Sequence, residues 1–167
     1  MASSILLFIL GLLKSYGIFG LFIASFLTSL IFFPGMVEFS LPILISLKFD
    51  PFLLFLSILL GSVLGGICNY YFGYAGYLFL IKKEGKEVRK VKKWLNKWGS
   101  FAIFAFSANP LPFPYDVLCV LAGIFKMDFK IFLIAMTLGK VMKYSFFILL
   151  SMFGMRLFLR YGDVPWI

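Results

Sequence analysis

The sequence predicts an all-α polytopic membrane protein: a single membrane domain built as an inverted structural repeat of two re-entrant, proline-broken hairpins and long spanning helices. Three observations support this fold class. Of the 167 residues, 62% are hydrophobic and only 14% are charged, whereas about a quarter of the residues in average soluble proteins are charged. The run from Pro51 to Leu80 carries no charge and exceeds the ~20 residues that a spanning helix needs. Prolines, glycines and charges also recur at one fixed spacing.

The fixed spacing is 78 residues (34 + 78 = 112), and we call it the repeat offset. It pairs residue types that are rare in this chain. The pairs are Pro34/Pro112, Glu38/Asp116, Lys48/Lys126, Asp50/Asp128, Gly61/Gly139 and Gly76/Gly154. The register extends towards the N-terminus through Ala24/Ala102, Phe26/Phe104 and Ser29/Ser107. Coincidence in a chain of low complexity is the alternative; we favour an internal duplication, with repeat one at about 16–80 and repeat two at about 99–157.

The chain starts with an apolar segment that precedes the first hairpin. It lacks a basic n-region and a cleavage site followed by a soluble domain, which favours an uncleaved segment over a secretory signal. Residues 5–33 are compatible with one spanning helix or with an interfacial helix followed by a hairpin arm. The sequence leaves these two possibilities open.

Each repeat has the same predicted order of elements. An apolar arm (16–33; 99–108) leads to a proline-broken turn with one acid, and a second arm (39–47; 117–125) follows. The residues that break the hairpins are Pro34, Gly35, Pro42, Pro110, Pro112 and Pro114. A Lys-x-Asp link then leads to a spanning helix, 51–80 in repeat one and 129 to about 157 in repeat two. We expect Asp50 and Asp128 to be the N-caps, with Pro51 at the first helical position.

This order of elements inverts the second repeat. A hairpin that enters the membrane and returns leaves the chain on the same side, and the spanning helix then crosses once. The second repeat is therefore upside down relative to the first, as in many transporters. Because non-helical backbone at membrane depth is tolerated only inside protein or beside water, we expect the breaks at 34–38 and 110–116 to face each other across a wet cavity.

A basic amphipathic segment, residues 82–98, joins the two repeats. It contains eight lysine and arginine residues, opposed by Glu84 and Glu87, and Trp94 and Trp98 lie near its end. Nucleic-acid binding is the alternative for such a run, but a position between apolar segments is typical of a cytoplasmic loop. We expect a protein integral to the cell (plasma or inner) membrane, with this segment in the cytoplasm at anionic lipid headgroups.

Several classes of chemistry have no support in the sequence. Histidine is absent, and so are a phosphate-binding glycine loop, a nucleophile elbow and zinc-ligand spacing. Cys68 and Cys119 lie in apolar surroundings without C-x-x-C spacing, as expected of reduced core residues. The sequence therefore predicts no enzyme activity, no catalytic residue, no metal and no cofactor.

Four ionisable side chains are expected away from bulk water: Glu38, Asp116, Lys140 and Lys143. At ~1.5 Å per residue, Lys140 lies roughly 18 Å along its helix from Asp128, and Lys143 shares its face. A lysine at the bilayer centre costs ~2.5–3.5 kcal/mol. These charges either form buried ion pairs that set the helix register or belong to a substrate path, and we favour the path.

The residue types suggest a division of roles. Partial desolvation favours the protonated form of a carboxylate, which makes Glu38 and Asp116 candidates for proton coupling. Lys140 and Lys143 are candidates for binding an anionic headgroup as point charges. Asn109 is either a further hydrogen-bond donor to the substrate or a turn residue ahead of a proline.

Two stretches resemble a known family. "GSVLGGICNYYFG" (61–73), after a broken hairpin, resembles the G-x-x-x-G-x-x-x-x-Y-x-x-G signature of DedA proteins, which share the VTT, or SNARE-associated, domain. "NPLPFPYDVLCVLAG", followed by "LGKVMKY", is similar to the P-x-x-G-D-x-L and G-K-x-x-R-Y patterns of the YqaA branch. The resemblance covers about residues 16–154. It implies re-entrant hairpins, a membrane-embedded site and, for several members, movement of lipids between leaflets that depends on the proton gradient.

The resemblance assigns roles by position. Glu38 matches the acid of the first hairpin, and Asp116 matches the acid of the second-hairpin pattern of the YqaA branch. Lys140 matches the lysine of that branch's last pattern, and Lys143 matches its arginine.

Three positions depart from the family patterns. Tyr115 stands where the YqaA pattern has a glycine before the acid. Gly66 stands where typical DedA members carry an acid, and residues 107–110 contain no basic residue where those members carry an arginine. Lys140 and Lys143 are candidates to supply the missing positive charge.

We therefore expect a transporter of the DedA/VTT type that moves a lipid with a phospholipid or polyprenyl-phosphate headgroup between leaflets, with proton coupling through Glu38 and Asp116. One alternative is a transporter of a small solute or ion that uses the same midplane cavity. Another is a non-transporting membrane assembly protein whose basic segment binds partners. The expected partners are membrane lipids rather than nucleic acid, and the oligomeric state is open.

Overall fold

A computed structural model describes residues 16–30, 49–80, 86–109 and 115–161, together with residues 11, 41, 44 and 45. These residues form helices and turns, with no strand among them. The helices are α1 (Ile18–Leu30), α2 (Pro51–Leu80), α3 (Lys86–Ala108), α4 (Tyr115–Ile124) and α5 (Phe129–Tyr161). The predicted break residues Pro34, Gly35, Pro42, Pro110, Pro112 and Pro114 lie outside the described residues, as does Glu38.

Two of the helices are long and apolar enough to cross a membrane, as predicted. The apolar spans run from Pro51 to Tyr77 in α2 and from Phe129 to Gly154 in α5. Both helices begin where their caps were predicted. The Asp50 carboxylate accepts the N–H of Phe52 at 2.8 Å, and the Asp128 carboxylate accepts the N–H of Lys130 at 2.9 Å. Each cap satisfies N–H groups that the first turn of a helix leaves without a partner.

The two long helices pack antiparallel. Near the end of α2, the Tyr70 ring lies 4.8 Å from the Phe132 ring, close to the start of α5. In the middle, Lys140 contacts Ser62, and towards the other end Ile58 shares a core cluster with Tyr144. In these contacts, lower residue numbers in α2 are paired with higher residue numbers in α5.

Two core clusters lie at the two ends of this helix pair. Cluster A consists of Leu21, Ala24, Leu41, Leu44, Leu54, Ile58, Tyr144 and Ile148. Cluster B consists of Tyr70, Ile103, Cys119, Ala122, Met127, Phe132, Ala135 and Met136. Four members of cluster A have partners in cluster B at the repeat offset: Leu41/Cys119, Leu44/Ala122, Leu54/Phe132 and Ile58/Met136. In a fifth pair the two clusters are exchanged. Tyr70 belongs to cluster B, and Ile148, one repeat offset later in the sequence, belongs to cluster A.

The turn between α4 and α5 is a Schellman motif. The N–H of Lys126 donates to the carbonyl of Gly123 at 3.0 Å, and the N–H of Met127 donates to the carbonyl of Ala122 at 2.9 Å. Lys126 takes the left-handed conformation, with φ at 52°. The second of these bonds has a counterpart one repeat offset earlier, where the N–H of Phe49 donates to the carbonyl of Leu44 at 3.3 Å.

The helix α1 is preceded by a break in the backbone. Gly17 has φ at 58°, and its carbonyl accepts the N–H of Gly20 at 3.0 Å as α1 begins. An α-helix cannot continue through a left-handed residue. A helix that continues without a break through residue 17 is therefore excluded, and α1 begins after it. The remainder of the segment, residues 5–10, 12–15 and 31–33, lies outside the described residues.

The α1 arm packs on α2 much as α3 packs on α5, but with a different register. A side chain at Gly61 of α2 would collide with the carbonyl of Phe22 and with Ser25. A side chain at Gly139 of α5 would collide with the carbonyl of Phe104 and with Ser107. Gly61 and Gly139 are separated by the repeat offset. The residues that they contact, Phe22 and Phe104, are separated by about one helical turn more than this offset. A shift of about one turn leaves the same face of the arm in contact.

Helix α3 joins two segments that the sequence suggests are separate. It begins within the basic segment and runs without interruption to Ala108, so that residues 86–98 of that segment and the first arm of repeat two form one helix. Trp94 and Trp98 are exposed on its basic half. The apolar half packs on α5, with Ile103 in cluster B.

Candidate functional site

The centre of the helix pair holds a buried lysine. The Lys140 side chain is 3% exposed, and its ammonium donates a hydrogen bond to the Ser62 carbonyl at 2.5 Å. Lys140 is the twelfth residue of α5, which places it roughly 17 Å along the helix at ~1.5 Å per residue. A membrane-spanning α5 therefore carries this ammonium close to the middle of the bilayer.

The start of α4 forms a second wall of this site. The Lys140 ammonium lies 4.8 Å from the centroid of the Tyr115 ring, a cation–π geometry that stabilises a desolvated cation by about 2 kcal/mol. Asp116 follows in the same turn and is 5% exposed. Cys119, one turn further along α4, is fully buried within electrostatic range of both Lys140 and Asp116. We call Ser62, Tyr115, Asp116, Cys119 and Lys140 the midplane site.

Gly66 of α2 makes room for the tyrosine. A methyl group at position 66 would lie 2.8 Å from the Tyr115 hydroxyl and 2.5 Å from the Met136 sulfur. Two of the departures from the family patterns, Gly66 and Tyr115, thus face each other. The residue with no side chain on α2 accommodates the large side chain on α4.

The structure brings together two of the residues that the sequence singled out, Asp116 and Lys140. Lys143 lies one turn further along α5, half-buried, with its ammonium 5.9 Å from the Tyr144 ring. Asn109 is half-buried directly after the last residue of α3. Glu38 is outside the described residues, although Leu41, three residues later, is fully buried in cluster A.

Two polar residues of the core, Ser62 and Asn69, were not predicted from the sequence. Ser62 contributes a main-chain carbonyl, and such a group carries no signal in a sequence. Asn69 is 2% exposed, and its amide donates to the carbonyl of Ser29 at 2.8 Å. This bond ties α2 to the last turn of α1. The available signal for Asn69 was a carboxamide in an otherwise apolar and uncharged run, where a buried polar group needs a partner.

The arrangement is chemically suited to anion recognition in a membrane. The lysine ammonium, a strong hydrogen-bond donor, is buried here between the Ser62 carbonyl and the Tyr115 ring. Tyr115 adds a hydroxyl and Asp116 adds a carboxylate that can take up a proton. A cation beside a titratable acid on a neighbouring helix is the pairing found on substrate and proton pathways in membrane proteins.

Several known proteins are similar to this chain in sequence. Residues 33–153 match the family model of the VTT domain. The uncharacterized protein MJ0201 of Methanocaldococcus jannaschii is 31% identical over 144 residues, which cover 85% of this chain and 88% of that protein. The inner membrane protein YqaA of Escherichia coli is 29% identical over 132 residues, covering 78% of this chain and 88% of YqaA, and YqaA of Shigella flexneri gives the same values. No solved structure gives a significant match.

Proposed function

This chain belongs to the VTT domain family of membrane proteins, also called the DedA family, and from that premise we propose that it transports a lipid between membrane leaflets. The lipid class that we propose carries a phosphate in its headgroup, as a phospholipid or a polyprenyl phosphate does. The observation that carries the proposal is the ammonium of Lys140, buried at mid-helix beside the start of α4. A cation kept there despite its desolvation cost is typical of a site for an anionic group.

An inverted repeat would supply the alternating access that a transporter needs. Three observations support such a repeat here. The caps of α2 and α5, one hydrogen bond in each of the turns before them, and five residue pairs of the two core clusters correspond at the repeat offset. Ser62 and Lys140 are themselves separated by this offset and touch each other. Residues related by a two-fold axis can touch in this way only where the axis passes between them.

The proposed mechanism assigns each residue a step. Lys140 and Lys143 attract the phosphate, with Asn109 as a further donor near the second break. Asp116, together with Glu38 from the first hairpin, takes up and releases a proton, so that the net charge of the site changes between its two accessible states. An ionised acid competes with the phosphate for the lysines, whereas a protonated acid does not. Proton movement would thereby favour release on one side.

Two further observations concern the membrane in which the protein lies and its orientation there. YqaA of Escherichia coli is an inner membrane protein, which supports a place in the cell or inner membrane. The basic half of α3 has exposed Lys93, Lys97, Trp94 and Trp98. Positive residues beside a membrane helix are typical of its cytoplasmic end, so we place this end of the helix pair in the cytoplasm.

Reconstitution in liposomes with a fluorescent phospholipid tests the proposal. We expect the exchange of the lipid between leaflets to fall about tenfold or more in Lys140→Met, because one charge-assisted hydrogen bond contributes ~1.5–3 kcal/mol. Asp116→Asn and Glu38→Gln should remove the response to an imposed pH gradient. Lys93→Gln, which neutralises an exposed lysine outside the site, is the control and should exchange lipid at the wild-type rate.

The same liposomes separate the competing functions. Lipid exchange that is unaffected by Lys140→Met and Asp116→Asn would contradict the proposal. Movement of a small solute or ion without lipid exchange would identify a solute transporter that uses the same site. If neither moves, while neutralising the basic segment abolishes activity in cells, the protein acts in membrane assembly.

A further inference from the structure

The lipid-facing surface of the protein has an apolar groove between α3 and α5. The groove has a volume of about 490 Å³ and is lined mainly by Ser100, Phe101, Phe104, Ile131, Ile134 and Leu138. Phe101, Ile134 and Leu138 are between 55% and 66% exposed. The groove therefore opens outwards, away from the buried face of α5 that carries Lys140.

A second cavity adjoins one end of this groove, and we call it the polar pocket because a lysine and an aspartate are among its lining residues. It has a volume of about 360 Å³ and is lined by Lys126, Met127, Asp128 and Ile131. Ile131 lines both cavities, so the polar pocket and the apolar groove meet at this side chain. The pocket lies at the turn between α4 and α5, where α5 begins. An amphiphile has this same order of parts: a charged head followed by an apolar tail.

The charges around the pocket are predominantly positive. Lys126 lines the pocket, and the exposed Lys130 stands at the start of α5, one turn before Ile134. The exposed Lys97 stands one turn before Phe101 on the same face of α3. The acid of the pocket, Asp128, already accepts the N–H groups of Lys130 and Ile131 as the cap of α5. The excess of positive charge favours a ligand with an anionic headgroup.

Aromatic rings keep Lys126 in place. Its ammonium lies 3.9 Å from the centroid of the Tyr77 ring and 5.6 Å from that of Tyr74. These contacts hold a lysine whose φ of 52° is unfavourable for any residue with a β-carbon. A glycine is the usual residue at this position of a Schellman motif. A lysine at this position is explained if its positive charge binds a ligand at this turn.

We propose that this surface binds one anionic phospholipid of the cytoplasmic leaflet, with its phosphate in the polar pocket and one acyl chain in the groove between α3 and α5. The site goes beyond the proposed transport function. It uses the outer face of α5, whereas Lys140 lies on the buried face. A free phosphate shares the chemistry of the head but leaves the groove empty, and a zwitterionic lipid fills the groove but does not match the excess of positive charge.

Native mass spectrometry of the full chain in detergent tests the site. Dioleoyl phosphatidylglycerol, dioleoyl phosphatidylcholine and inorganic phosphate would be titrated separately. We expect one saturable phosphatidylglycerol per chain. We expect binding about fivefold or more weaker in Lys130→Glu, because each basic residue near an anionic headgroup contributes ~1 kcal/mol. Glutamate at a helix N-terminus interacts favourably with the helix dipole, so this variant should fold.

The tail groove is tested by filling it. Ile134→Trp should weaken phosphatidylglycerol binding, whereas Leu149→Trp, at a similarly exposed position of α5 that does not line the groove, should not. Lys93→Glu is the matched charge control for Lys130→Glu. Equal binding of the two phospholipids, unsaturable uptake of many lipids, or binding unchanged in both Lys130→Glu and Ile134→Trp would overturn the proposal. Inorganic phosphate that competes fully with the lipid would overturn it too, by showing a simple anion site.

Discussion

The Lys140 ammonium occupies a position that costs ~2.5–3.5 kcal/mol in a bilayer, and its neighbours offset much of that cost. The Ser62 carbonyl accepts one of its N–H groups, and the Tyr115 ring covers another side of the charge. Neither contact neutralises the cation. Asp116, next to Tyr115 and also buried, is a neighbouring group whose protonation changes the net charge of the site.

At the same scale, Gly66 and Tyr115 form a complementary pair. We expect Gly66→Ala to lower the free energy of unfolding by ~1–3 kcal/mol, because its methyl group would meet the tyrosine hydroxyl and Met136. Tyr115→Phe removes the hydroxyl and should restore part of that loss in the double variant, with a coupling of ~0.5–3 kcal/mol. Unfolding in a denaturing detergent measures all four proteins of the cycle. Additive effects would show that the two positions do not contact each other.

At the scale of the elements, glycines set how closely the helices approach. Gly73 of α2 contacts the carbonyl of Val120, and Gly123 of α4 contacts the carbonyl of Tyr70. The two contacts are reciprocal, so α2 and α4 come together with almost no side chain between them. This close approach brings the start of α4, and with it Tyr115 and Asp116, against α2.

A pair of glycines on one helix tests this view. Gly73→Ala should destabilise the protein by ~1–3 kcal/mol, because the added methyl group collides with main-chain atoms that cannot move aside. Gly76→Ala, three residues later in open space, should be neutral or stabilise the protein by up to ~1 kcal/mol, as expected from helix propensity. Thermal unfolding in detergent compares the two variants. Equal losses would place the two glycines in equivalent surroundings and contradict the packing described.

The helix caps allow a second test at this scale. Asp128 accepts two N–H groups of α5, whereas the bond described for Asp50 is to one N–H group of α2. Loss of a cap costs ~0.5–2 kcal/mol. We expect Asp128→Ala to lower the unfolding temperature more than Asp50→Ala does, and Asp128→Asn to retain most of the stability. If Asp128→Asn is as unstable as Asp128→Ala, charge rather than capping is the contribution of this residue.

At the scale of the whole molecule, two long antiparallel helices form the frame on which the shorter helices pack. α1 and α4 pack on α2, and α3 packs on α5. The charged end of the frame carries the basic half of α3 and the turn with Lys126 and Lys130. The opposite end carries Asp50 and Pro51 at the start of α2.

The orientation of this frame is directly testable in cells. In a variant with Cys68→Ser and Cys119→Ala, Lys93→Cys should resist a membrane-impermeant thiol reagent added from outside, because we place it in the cytoplasm. Asp50→Cys, at the opposite end of α2, should react. Permeabilising the cells should make Lys93→Cys reactive and serves as the control. The reverse labelling pattern would invert the proposed topology and the leaflet assigned to the lipid site.

How much the sequence predicts depends on whether the signal is local. The two spanning helices and their aspartate caps were predicted because an uncharged run and an Asp-Pro pair are local features. The contact of Lys140 with Ser62 was not predicted, because it involves a main-chain carbonyl. It also depends on the register of two helices that are far apart in the sequence. Tyr115 was noted only as a departure from a family pattern. Its contact with Gly66 depends on how two helices far apart in the sequence pack together.

The contact between positions 62 and 140 limits which side chains these two positions can carry together. Two lysines at these positions would hold like charges a few ångströms apart in a medium of low dielectric, which is strongly unfavourable. One half alone can therefore provide the cation, and the other provides an uncharged acceptor. In the transport mechanism proposed above, the charge that binds the anion would then come from α5 alone.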